Sequence, residues 1–244
     1  MTTDQTVFDL AAVLEEITAA TEHLVRTAAR LTDAEVRGPS LLPDWSRGHV
    51  LSHLARNADG GRRLLTWART GVETPEYPSL TARAEGIGAG AGRSAAELLS
   101  DLRDSAAAFE AEYRAMPPEA WQRTVRWTAG QEHPAARAAD SRLCEVLVHH
   151  ADLNAGYTPS DWPPDFVRDM LDRVATSFAT RTDVPAMKLH ATDTDTTYAT
   201  GTGPSAPTVL GPQHGLLAWL MGRSPGMGLT LRGAPSLPEV PSLY

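Results

Sequence analysis

Cysteine occurs once in the 244 residues, at Cys144. A single thiol forms no internal disulfide and builds no cysteine-based zinc finger, a usage that fits a reducing compartment. Basic residues are also in short supply: 22 Lys and Arg stand against 30 Asp and Glu, for a formal charge of −8. A chain this acidic repels phosphate backbones, and no basic cluster offsets that, so nucleic acid is not expected as a partner. No apolar run approaches the roughly 18 residues of a membrane span. The first ten residues carry Asp4 and Asp9 and lack a basic start before an apolar run, so no standard signal peptide is expected. Nor is there a repeat with a period of roughly 20–50 residues. The expectation is a cytoplasmic protein with no membrane association. The acidic surface offers no interface signal, and a monomer is the simplest expectation.

What is present is helical for two thirds of the chain. Leu10, Leu14, Ile17, Leu24, Ala28 and Leu31, with Thr21 the one polar entry, recur at three- and four-residue steps, one buried stripe on a helix of about six turns. Ser46 is a good N-cap for a second helix that runs to about Thr70 and stops at Gly71. A third helix spans about Ser94–Met116, where Pro117 and Pro118 end it. A fourth begins near Pro134 and ends at Gly156. Four long amphipathic helices predict a four-helix bundle over residues 1–157. Two long connections, Gly71 to Arg93 and Pro117 to His133, read as loops. The first holds a Gly-Ala run at Gly86–Gly92 without a preceding strand or a following Lys-Ser/Thr, so a flexible loop over a site is expected, not a phosphate cradle. Thr158 to Pro164 reads as a linker. Residues 165–244 read as a small α/β unit. Its helices lie near Asp165–Thr180 and Gln213–Met221, its β-like runs at Ala186–Thr192, Thr196–Thr200 and Gly228–Leu231, and its Pro-rich tail is irregular. The fold class is therefore mainly α with a C-terminal α/β unit.

Chemistry concentrates in two helical segments. On the fourth helix Glu145, His149 and Asp152 stand four and three residues apart and share a face. A carboxylate and an imidazole one turn apart chelate a single ion in many bundles, and a plain surface Glu–His pair is the alternative. On the second helix His49 and His53 are also one turn apart, and either completes a two-His, one-Glu set suited to zinc with positions left for water or substrate. His23, His133, His190 and His214 read as structural. Cys144 points about 100° away from Glu145 and reads as packing.

These segments resemble a known family. Leu42-Pro43-Asp44-Trp45-Ser46 followed by His53-Leu54-Ala55-Arg56-Asn57-Ala58, with Glu145, His149 and Asp152-Leu153, is similar to the mycothiol-dependent maleylpyruvate isomerase family, whose N-terminal part is a DinB-like four-helix bundle. Trp67 through Tyr77, with Glu73-Thr74-Pro75, and Ala82-Arg83 resemble the isomerase branch. The likeness extends over nearly the whole chain, with a small C-terminal α/β domain closing the active-site cleft. It implies zinc, or another divalent metal, on His53, Glu145 and His149. It places His49 where members often have Asp, so His49 is not expected to ligate. Asp152 is implied to support a ligand or to touch the thiol cofactor, mycothiol. Arg223 matches an arginine that the C-terminal domain sends into the cleft, and Arg83, in the loop opposite, is a second contact for a small anionic substrate. The implied reaction is cis–trans isomerisation of maleylpyruvate to fumarylpyruvate: a metal-activated thiolate adds to the alkene, the resulting single bond rotates, and the thiolate leaves. A mycothiol S-transferase would need the same activated thiolate. A non-catalytic helical module stabilised by a structural metal is a third reading, disfavoured because only three ligands are evident.

Overall fold

The computed structural model describes residues 10–201 and 206–241. The segment before residue 10, on which the absence of a signal peptide was argued, lies outside the described residues. The chain divides into two compact units, Met1–Gly156 and Tyr157–Tyr244.

In the first unit α1 spans Leu10–Ala28, α3 Arg47–Thr70, α5 Ala95–Arg114 and α6 Ala136–Asp152. These are the four helices of the bundle. Leu24, Val50, Leu54, Leu98, Leu102 and Val146 form its core, all of them at most 1% exposed. Helix α1 stops at Ala28, short of the predicted Leu31, which still packs partly buried against the core. The reason is the Thr32 capping box: Thr32 accepts from the Glu35 N–H and the Glu35 carboxylate accepts from the Thr32 N–H. That box starts a new short helix, α2 (Asp33–Arg37), so the chain turns away from α1. The limits of α3 agree with the sequence reading. Ser46 caps its start and Gly71, at φ 77°, closes it in the left-handed region.

The Gly71–Arg93 connection differs from expectation. It is no flexible loop; Leu80–Ala91 forms α4, capped by Ser79. Its glycines are poor helix formers but permit close approach to α3. A Cβ on Gly90 would lie 2.2 Å from Ser52 Oγ, and one on Gly48 would lie 2.3 Å from the Ala91 carbonyl oxygen. Packing thus outweighs propensity, and α4 is held hard against the helix that carries His53. The second long connection holds a 3-10 turn (Pro118–Gln122) and a hairpin of β1 (Thr124–Arg126) and β2 (Glu132–Pro134). Because Pro134 pairs with Thr124 in that hairpin, α6 begins two residues later than its sequence suggests.

The second unit opens with the segment read as a linker. Thr158 caps a 3-10 turn (Pro159–Asp161), and Trp162 is buried against Phe166. Helix α7 (Pro164–Ala179) follows, then β3 (Met187–Ala191), β4 (Thr196–Thr200), β5 (Thr208–Gly211), α8 (Gln213–Leu220) and β6 (Thr230–Arg232). The sheet order is β4-β3-β5-β6, with β3 and β5 parallel and the outer pairs antiparallel. Strand β5 escapes the sequence reading because four residues are too few for an alternation to stand out. No described helix is long and apolar enough to cross a membrane.

Candidate metal centre

Helices α3 and α6 meet at their polar positions on His53 and Glu145. The α3 entrance is tied to the end of α6 through Arg47, which donates to the Leu153 and Asn154 carbonyls, and through the Leu41 N–H, which donates to the Asp152 carbonyl at 2.8 Å. His53 Nε2 lies 2.8 Å from Glu145 Oε2, and His149 Nε2 lies 3.2 Å from the same oxygen. The two imidazoles stand edge-on, 4.5 Å between centroids. Ligand atoms of His53, Glu145 and His149 all fall within 4.8 Å of one another, the one such group among the described residues. Their side chains are 3%, 29% and 14% exposed, so the cluster opens to solvent on the Glu145 side.

Two imidazoles and a carboxylate on one spot are a donor set for a divalent cation of the zinc class, with ligand positions to spare. The surroundings of His149 suit that use. Asp152, with no exposed surface, accepts a hydrogen bond from His149 Nδ1–H at 2.8 Å, which leaves Nε2 aimed at the cluster. Burial disfavours the His149 imidazolium, but the hydrogen bonds to Asp152 and Glu145 outweigh it and push the pKa up to about 9. Burial likewise disfavours the Glu145 carboxylate, yet hydrogen bonds from His149 and His53 hold its pKa well below the ordinary value. Burial lowers the His53 pKa, against the pull of Glu145.

His49 takes no part in this group. Its Nδ1 accepts from the Ser46 N–H as half of the α3 capping box, and its ring stacks on Trp45. Trp45 also meets the His53 ring edge-on. Arg83 lies on α4, not in a loop, with its Nη2 3.2 Å from His53 Nδ1 and its guanidinium carbon 5.9 Å from the Tyr77 ring centroid. Cys144 is half-buried on α6. Arg223 lies in the second unit just past α8, where its Nη1 donates to the Met221 carbonyl at 2.7 Å.

Two residues around the cluster were missed. Arg142, one turn before Glu145 on the same face, is 2% exposed. It donates to the Leu54 carbonyl and to Asn57 Oδ1, while its Nη2 has no hydrogen-bond partner. Burial pulls its pKa down to about 10, partly offset by the Glu145 charge. Its three-residue offset from Glu145 was the available signal. Tyr77 packs where a Gly60 side chain would stand and donates to the Arg56 carbonyl; burial raises its pKa to about 12. Its only sequence signal is that it closes the Trp67–Tyr77 stretch of the family resemblance.

Comparison with known proteins finds relatives over nearly the whole chain. Residues 17–154 match the family model of the mycothiol maleylpyruvate isomerase N-terminal domain, and residues 161–239 match the model of the MDMPI C-terminal domain. Two solved structures align over 99% of this chain and all of their own, each at 29% identity and a TM-score of 0.90. One is a crystal structure of the mycothiol-dependent maleylpyruvate isomerase, the other a histidine-to-alanine mutant of that enzyme. No curated protein matches the chain.

Proposed function

Because this chain belongs to the mycothiol maleylpyruvate isomerase family, we propose that it converts maleylpyruvate to fumarylpyruvate with mycothiol as a recycled thiol cosubstrate. The observation that carries the reading is the His53–Glu145–His149 cluster, three ligands converging on one solvent-facing point. A divalent cation held there, zinc by the ligand preference of the site, would supply the positive charge that keeps a thiol deprotonated at neutral pH. His53, Glu145 and His149 would hold it, with Asp152 orienting His149. The protein's own cysteine is not the nucleophile, since Cys144 points away from the ligand face. The thiolate of mycothiol adds to the cis alkene, forming a C–S bond and leaving a single carbon–carbon bond free to rotate. Its expulsion restores the alkene as trans, and no atom is gained or lost. Arg83, beside His53, is assigned to a substrate carboxylate and to the enolate charge that addition creates, because a guanidinium fork binds such oxygens in bidentate fashion.

The test is conversion of maleylpyruvate by the purified, zinc-loaded protein with and without mycothiol, followed by proton NMR. Thiol-dependent appearance of fumarylpyruvate supports the reading. Consumption without it, with a mycothiol adduct accumulating by mass spectrometry, would make the protein an S-transferase instead.

A further inference from the structure

The two imidazoles of the cluster are not prepared alike. A histidine that ligates through one ring nitrogen carries its proton on the other, and that second nitrogen is ordinarily given a hydrogen-bond acceptor. His149 follows the rule: Nδ1–H donates to Asp152, so loss of the proton that Nε2 shares with Glu145 leaves that nitrogen free to ligate. His53 breaks it. The group facing its Nδ1 is Arg83 Nη2, at 3.2 Å, and a guanidinium has five N–H donors and no acceptor. His53 Nδ1 must therefore offer its lone pair to Arg83. The ring proton then sits on Nε2, where it donates to Glu145 Oε2 at 2.8 Å. That is the tautomer in which Nε2 has nothing to give a cation.

We propose that Arg83 is a positioning residue coupled to occupancy of the metal site: a cation on His53 Nε2 moves the ring proton to Nδ1, breaks the Arg83–His53 hydrogen bond, and frees the guanidinium to bind a substrate carboxylate. The inference rests on the metal centre proposed above. Its chemistry balances, since filling the site relocates one proton within the imidazole or exchanges it with solvent, and two N–H donors cannot share one contact. Helix α4 gives the side chain its place. The contacts of Gly48 and Gly90 hold the helix backbone on α3, so the change falls to the Arg83 side chain. An exit lies beside it: the Tyr77 ring is already 5.9 Å from the guanidinium carbon and accepts a cation on its face. The metal-free protein thus keeps its substrate arginine occupied, and the loaded protein presents it.

The test uses the full chain with zinc as the probe. Ring-nitrogen NMR of metal-free protein, with His53 assigned by comparison with His53→Gln, should show a bare Nδ1 and an Nε2–H; zinc should move the proton to Nδ1. Crystals of the zinc-loaded protein should show Arg83 Nη2 out of hydrogen-bond range of His53. Arg83→Met should bind zinc about tenfold more tightly in a chelator competition, because one charge-assisted hydrogen bond no longer has to be broken. Zinc bound with the Arg83–His53 contact intact, or an Nδ1–H in the metal-free protein, overturns this proposal and leaves the metal centre standing. Failure of the wild type to bind zinc at all overturns both.

Discussion

Asp152 offers the sharpest lever on the metal centre because it touches only one side of it. Its carboxylate is fully buried and accepts from His149 Nδ1–H at 2.8 Å, so no solvent replaces it when it is removed. A charged partner behind a ligating histidine is worth about 10- to 100-fold in metal affinity, or roughly 1.4–2.7 kcal/mol. Asp152→Asn keeps the size and an acceptor oxygen but loses the charge, and should cost about tenfold. Asp152→Ala also strands the Nδ1–H and should cost about 100-fold. The backbone tie from the Leu41 N–H to the Asp152 carbonyl survives both substitutions. The loss depends on pH. At pH 7 the wild type must expel a proton from His149, whose pKa is about 9, a handicap of about two decades. Without the carboxylate that pKa falls, and the variant escapes part of the handicap. The ratio of wild-type to variant affinity should therefore be compressed at pH 7 and widen by pH 9. Competition titrations of zinc against a chelator at both pH values measure it, with circular dichroism to check the fold. Equal affinities in wild type and both variants at pH 9 would refute the assignment of Asp152.

Other expectations follow from the same geometry. Zinc affinity of the wild type should climb about tenfold per pH unit to about pH 9 and then level off, as the His149 proton ceases to compete; a flat profile from pH 6.5 to 9 would contradict it. The raised His149 pKa also stabilises the metal-free fold fully below pH 6.5, and this contribution is lost as pH rises through about 9. The Tm of metal-free protein should accordingly fall across that window. Glu145→Gln removes the carboxylate to which both histidines turn and should lower zinc affinity by more than about 100-fold, with metal content read by atomic absorption. Gly48→Ala would put a methyl 2.3 Å from the Ala91 carbonyl oxygen and should cost about 1–3 kcal/mol in urea unfolding.

Much of this molecule is legible in its sequence, and the exceptions have physical causes. Helix α3 could be delimited to the residue because Ser46 and Gly71 are local signals, a cap and a left-handed stop. Glu145 and His149 can be paired because helical spacing is rigid, whereas spacing alone leaves His49 and His53 equal; only the family resemblance sets His49 aside, and the structure shows its ring engaged with Ser46. Helix α4 was not legible, since its glycines argue against a helix until the α3 surface they fit is known. The sequence therefore puts Arg83 in a loop and gives no sign of its contact with His53. Strand β5 is too short for its pattern to speak, and the one sequence signal for Arg142, its three-residue offset from Glu145, gains meaning only beside its neighbours on α3.

One measurement bears most directly on the proposed function: maleylpyruvate conversion by zinc-loaded protein with mycothiol at one tenth of the protein's substrate, followed to completion by NMR. A recycled thiol should convert all of the substrate to fumarylpyruvate and be recovered unchanged, and Glu145→Gln should show no turnover under the same conditions. Conversion that stops at one substrate per mycothiol, or that proceeds equally in Glu145→Gln, would contradict a thiol-recycling isomerase built on this cluster.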